Sequence, residues 1–441
     1  MKTTSTLLAF PLLVFALAAR AAGAIDFTDA VLLRDDSITN LTSATINDWP
    51  LLEESLRFSF QTEDTSRAVW MGGNRDHRHL DVRALGFPVY EAQAAFHPQT
   101  GSLASIELVL FSRGDVTMAG GGNDEMGALL SRAVHNDSVF RDLCTKAKEP
   151  IEAAFGKPSM SNVRKPVKDH EQRQLLWNRP QGNVLLSVGR TKQGDSFRGE
   201  YIRVTFCPPK KQDSAGPLSR PRPAGMPDAG KTTARASDLT KNVIREEDGT
   251  AFIDNIPMVD QGDKGYCTVA TIERIVRYFG GSTSQHELAQ LMNTGDGGGT
   301  GVGYSQYVSP AVCKRFGFKQ EKVVFRTPAT EDIIRKYNAI AAVKASKKTP
   351  NFLEVADKET LYKAVSGMRE CRDFVASVRK HVDKGEPLLW SIPGHTRLIV
   401  GYNEKASRIL YSDSWGAGHE RKEMSAAEAL LMTQICFAVH P

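Results

Sequence analysis

Cys267 is the residue whose setting most directly offers chemistry. It ends the run Gln261-Gly262-Asp263-Lys264-Gly265-Tyr266-Cys267 and opens an amphipathic stretch that predicts a helix over 268–279. A cysteine at a helix N-terminus meets the positive end of the macrodipole and unpaired N–H groups. Both stabilise the thiolate, the nucleophilic form. The same amides can hold a developing oxyanion, and the side-chain amide of Gln261 stands ready to join them. A cysteine taken alone is more often a buried structural residue. Two further residues shift that balance. His395 follows Gly394 between two strand-like runs, 387–392 and 396–402, and Asp413 ends the next run, 408–411. A carboxylate that accepts from one imidazole nitrogen leaves the other for a thiol, so Cys267, His395 and Asp413 have the makings of a triad.

The elements around these residues come in a definite order. The helix after Cys267 stops at Gly280-Gly281, and a second starts after Ser284, where Glu287 completes a capping box. Further helices are expected over 331–344 and 371–383, followed by the three strands that frame His395 and Asp413. Helices followed by an antiparallel sheet describe an α+β domain, here residues 250–441.

With these residues in place, the chain resembles the papain-like cysteine peptidases, in particular the bacterial branch that removes bacteriocin leaders after a double glycine. Gln261 matches that family's oxyanion-hole glutamine, and Gly265-Tyr266-Cys267 its nucleophile motif. His395, in Gly394-His395-Thr396-Arg397-Leu398, matches the general base. Asp413-Ser414-Trp415-Gly416 matches the family's Asn-Ser-Trp-Gly, with Trp415 shielding the carboxylate–imidazole bond from water. Asp413 stands where papain has Asn, as in the bacteriocin-leader branch. Thr268 stands where papain has tryptophan, so the substrate cleft need not follow papain's. The resemblance implies peptide-bond hydrolysis of a peptide or protein substrate with no cofactor and no metal. It covers about 250–441 and does not extend to residues 25–207. Leader-processing relatives are usually fused to an exporter, a part not expected here, so their double-glycine substrate is not carried over. Two alternatives stay open: a transglutaminase-like acyl transferase using the same three residues, and a non-catalytic peptide-binding module with a peptidase fold.

The rest of the chain sets bounds. Lys2, the apolar run 7–19 and the exit Ala22-Gly23-Ala24 read as a cleavable secretory signal over 1–24, implying a secreted or periplasmic protein. The apolar run falls short of the ~20 residues a membrane span needs, and no later segment supplies one, so no stable membrane insertion is expected. Residues 25–207 read as a strand-rich α+β domain with strands over 89–97, 105–111, 174–177 and 184–188. A helix over 137–155 is expected to break or kink at Pro150. Residues 208–249, rich in Pro, Gly and basic side chains, read as an extended linker and an exposed cleavage site. The net charge of +5 is scattered rather than concentrated, which argues against nucleic acid. Six cysteines make no disulfide scaffold, though Cys144 and Cys207 are candidates to bridge. Asp76, His77, His79 and His97 fit no metal-ligand spacing. Gly295-Asp296-Gly297-Gly298-Gly299-Thr300-Gly301 lacks the Lys-Ser/Thr ending of a phosphate loop and reads as a loop near the cleft. His286 and His419 read as surface residues.

Overall fold

The computed structural model describes residues 25–33, 60–64, 66–72, 81–97, 100–119, 124–207, 234–294, 299–300, 308, 310–325 and 358–441. The expected signal, Asp76, His77 and His79, the helix over 331–344, most of the glycine loop and the first part of the linker lie outside the described residues.

The architecture is α+β, with a strand-rich N-terminal region and a C-terminal region of helices on an antiparallel sheet. In the N-terminal region eight antiparallel strands form one sheet. They are β1 (Gln61–Asp64), β2 (Arg67–Met71), β3 (Glu91–Phe96), β4 (Leu103–Ser112), β5 (Met160–Val167), β6 (His170–Arg179), β7 (Gly182–Gln193) and β8 (Ser196–Cys207), in the order β1-β2-β3-β4-β8-β7-β6-β5. Alternation sends Ala92, Ala94 and Phe96 of β3 and Ile202, Val204 and Phe206 of β8 into one apolar core. Helix α1 (Asp137–Phe155) covers that face. Asn136 caps its first turn, and Val139, Phe140, Leu143, Ala147 and Ile151 form its buried stripe. Gly199 lets the helix approach β8, since a Cβ there would come 2.2 Å from the Phe140 ring. Pro150 sits inside α1 without breaking it. A small sheet of Ile25–Asp26, Val82–Ala84 and Phe87–Pro88 packs against the same core.

The C-terminal region has a second eight-stranded antiparallel sheet. Its strands are β9 (Val243–Arg245), β10 (Thr250–Ile253), β11 (Lys319–Phe325), β12 (Leu388–Ile392), β13 (His395–Asn403), β14 (Arg408–Ser412), β15 (Lys422–Ser425) and β16 (Ile435–His440). The order is β9-β10-β13-β12-β16-β11, with β14 and β15 continuing from β13. Every residue of β12 is buried. Three helices matter for the site and its support: α2 (Cys267–Tyr278), α3 (Gln285–Leu291) and α4 (Arg369–Val382). The apolar stripe Cys371, Phe374, Val375, Val378 and Val382 seats α4 in a core separate from the first. The last residues of the expected linker are structured: a short helix at Ala236–Leu239 leads into β9, which pairs with β10.

The bridge between Cys144 and Cys207 is not formed. Cys207 pairs in register with Asn183 at one end of the β7–β8 hairpin, whereas Cys144 lies beside Leu186, Val188 and Arg190. Several residues at ~3.3 Å each separate the two places, beyond a disulfide's Cα reach of about 7 Å. Among the described residues no helix is long and apolar enough to cross a membrane.

Candidate active site

Cys267 is the first residue of α2, and the cap residue Tyr266 makes no side-chain capping bond to the leading amides. His395 is the first residue of β13, just after Gly394 at φ +75°, a conformation that favours glycine and lets the chain reverse tightly out of β12. Asp413 follows the last residue of β14, and the register Leu398↔Ser412 brings that end of β14 beside the start of β13. The start of α2, the start of β13 and the end of β14, far apart in sequence, therefore meet at one end of the strands.

The contacts are direct. His395 Nε2 lies 2.9 Å from Asp413 Oδ1. The Cys267 thiol is hydrogen-bonded to the His395 side chain and receives the Thr396 backbone N–H. Burial by itself would raise the thiol's pKa, but these bonds and the nearby imidazolium charge outweigh it and hold Cys267 below the ordinary thiol range. Burial likewise opposes a charged imidazole, yet Asp413 and Cys267 raise His395 above its usual value. Asp413 is held below the usual carboxylate range, because His395 and Arg397 outweigh its burial. The combined direction favours a thiolate–imidazolium pair.

Trp415 stacks on the His395 ring, with centroids 4.8 Å apart and planes 19° from parallel, and is itself 43% exposed. Gln261 is buried in the loop before α2. Its backbone N–H donates to the Ser414 carbonyl at 3.0 Å, and its side-chain amide points to the Lys264 carbonyl at 3.5 Å. Thus Gln261, Cys267, His395 and Asp413 all belong to one neighbourhood.

Several residues of this neighbourhood were missed from sequence. Arg397 Nε donates to Asp413 Oδ1 at 2.7 Å. Strand alternation was the available signal, since it puts Arg397 on the same face as His395. Arg274, wholly buried, donates to the carbonyls of Pro257 and Asp413 and to Ser412 Oγ, tying α2 to the Asp413 turn. Thr268 and Thr396 share a 2.9 Å hydroxyl contact that fastens α2 to β13. His286 is not a surface residue: it is 2% exposed, with Nε2 3.1 Å from Glu91. His419 is partly buried; its ring meets Trp415 edge-on at 5.4 Å, and its Nδ1 lies 2.8 Å from Lys422 Nζ.

Residues 253–433 fit the model of the Peptidase_C39-like family, a span that contains Gln261, Cys267, His395 and Asp413. Over that span the chain is similar to the C39-type, papain-like cysteine peptidases. No curated protein and no solved structure matches the chain. The family is one of cysteine peptidases, whose substrates are peptides or proteins. The match leaves the strand-rich N-terminal region outside it.

Proposed function

We propose that the chain is an exported cysteine peptidase whose C39-type domain hydrolyses peptide bonds through Cys267, His395 and Asp413. The observation that carries this reading is the hydrogen-bonded line from Cys267 through His395 to Asp413 at the N-terminus of α2. His395 holds the thiol proton, and the thiolate attacks the peptide carbonyl. The carbonyl π electrons move to oxygen, where the Cys267 backbone N–H and the Gln261 amide receive the negative charge. Collapse expels the amine, which takes its proton from His395 and leaves a thioester. Water, deprotonated by His395, then releases the acid and regenerates the thiol pair. Asp413 holds the imidazole ring in register throughout, and Arg397 keeps Asp413 ionised.

In this reading residues 1–24 direct export and are removed, residues 25–207 form the first domain, and 250–441 form the catalytic domain. The full-length mature chain is expected to cleave denatured casein, and Cys267→Ala is expected to abolish that cleavage without changing the circular dichroism spectrum. Undiminished cleavage by Cys267→Ala would refute the proposal. N-terminal sequencing of the exported chain tests the signal, with a start at Ile25 expected.

A further inference from the structure

Each region has its own apolar core, and the seam between them is polar and buried. Glu91 of β3 lies at its centre, with no exposed surface. Its Oε2 accepts from Lys264 Nζ at 3.1 Å, from Gln285 Nε2 at 3.2 Å, and lies 3.1 Å from His286 Nε2. Lys264 is 1% exposed, and Asp115, just after β4, supplies its second carboxylate at 3.1 Å. Burial works against the Lys264 charge, but these two carboxylates more than compensate and raise its pKa, so the ammonium stays protonated.

Lys264 sits in the loop that leads into Cys267. Its side chain points into the N-terminal region, while its backbone carbonyl faces the active site. That carbonyl accepts the Tyr266 N–H at 2.6 Å and lies 3.5 Å from the Gln261 side-chain nitrogen. Tyr266, directly before the nucleophile, is gripped from the same side, since a Cβ on Gly114 would come within 2.6 Å of its ring. At the loop's other end the Asp260 N–H donates to Glu63 of β1. The loop that carries Gln261 is thus held by the other region through the Glu63 side chain at Asp260, the Glu91 and Asp115 side chains at Lys264, and close packing of Gly114 on Tyr266.

We infer that Lys264 is a positioning residue, clamped by Glu91 and Asp115 of the N-terminal region, and that this region is a permanent part of the active enzyme rather than a removable inhibitor. The inference rests on the peptidase reading, because its consequence falls on the oxyanion donors. Without the clamp the Lys264 carbonyl no longer fixes the Gln261 amide, while the Cys267–His395–Asp413 line, held by α2, β13 and β14, keeps its geometry. Loss of one oxyanion donor typically lowers kcat by about 10²–10³-fold. Looser positioning is expected to cost somewhat less, about 10–10²-fold.

The test uses the full chain, Lys264→Met, and the triple variant Lys264→Met/Glu91→Gln/Asp115→Asn, which removes the buried ammonium together with both of its carboxylate partners. Casein hydrolysis is measured with active sites counted by iodoacetamide labelling of Cys267, a displacement at carbon that needs no oxyanion hole. The expected result is a fall in kcat per labelled site of about 10–10²-fold, with KM and the pH profile of alkylation unchanged. Wild-type kcat per labelled site in the triple variant overturns the inference and leaves the peptidase reading standing. A fall in hydrolysis that vanishes once sites are counted overturns it too, by reducing Lys264 to a folding role. A wild-type chain that alkylates at Cys267 yet cleaves nothing refutes the peptidase reading, and the inference with it.

Discussion

The two eight-stranded sheets are built alike and covered differently. The C-terminal sheet turns apolar strands such as β12 toward its helices and shows the ordinary pattern of one core. The N-terminal sheet is apolar toward α1, but its other face carries Arg67, Glu91, Gln93, Glu107, Gln172 and Arg203, all of them inside the molecule or nearly so. An alternating strand with a polar face usually has that face in water. Here α2, α3 and the 260–264 loop cover it, and the charges are matched across the seam. Arg67 meets Glu273 at 2.7 Å, Arg203 meets Glu287 at 3.0 Å, and Gln172 donates to Gln290 at 3.2 Å. A polar face can therefore be an interface with a second domain as well as a solvated surface.

The catalytic line and the seam answer to different changes, and the largest expected effect is that of His395→Ala. That change removes the base on the C-terminal side and is expected to lower casein hydrolysis at least ~10³-fold, in a chain whose seam and thermal unfolding are unchanged. Steady-state kinetics beside a melting curve will separate the two.

Arg67→Leu makes the complementary change. It leaves Glu273 buried without its cation, a loss that costs about 3–5 kcal/mol, read as a lower midpoint in urea unfolding. Alkylation of Cys267 in the folded variant is expected to keep its wild-type pH profile. A shifted profile would mean that the seam reaches into the catalytic line itself.

Arg397→Leu should have a smaller effect. Asp413 is held below the usual carboxylate range partly by the Arg397 charge, so without Arg397 its pKa rises. Asp413 then protonates sooner as pH falls, and the acid limb of casein hydrolysis moves to higher pH. Trp415→Ala removes a stacked ring worth about 0.5–1.5 kcal/mol, and a loss of about 2–10-fold in kcat/KM is expected. The smallest effect belongs to the connection itself. A cut introduced by a specific protease between 208 and 233 is expected to leave both halves co-eluting and hydrolysis unchanged, since the seam holds them together.

The sequence and the structure agree where signals are local. Helix α1 is the helix expected over 137–155, the helix expected at 268–279 is α2, and β12, β13 and β14 fall on the three strand-like runs. Cys267, His395 and Asp413 each stood beside such an element, so their types and order were readable. Short or polar strands such as β1, β9 and β15 carry no comparable alternation and were not foreseen. Nor was the seam, because its partners are distant: Lys264 and Glu91 are 173 residues apart, and His286 and Glu91 are 195. No periodicity within a window of ordinary length pairs such residues. His286 was misplaced at the surface for the same reason, since only the folded sheet shows what covers it. Pro150 shows the opposite case: it does not end the helix, whose buried stripe continues to Ile151 on its far side.

Peptide-bond hydrolysis at this site requires that His395 and Asp413 hold Cys267 as a thiolate. The most direct test of that requirement is the rate of Cys267 alkylation by iodoacetamide across pH in the full chain, followed by mass spectrometry, beside His395→Ala. A folded pKa below the ordinary thiol value keeps thiolate present as pH falls, until pH passes that lower value. The wild-type chain should therefore alkylate at Cys267 selectively and rapidly in mildly acidic solution, with Cys144, Cys207, Cys313, Cys371 and Cys436 unlabelled. His395→Ala should move the reaction into the alkaline range of an ordinary thiol, near pH 8–9. A wild-type profile that already lies there, unchanged by His395→Ala, would contradict the account.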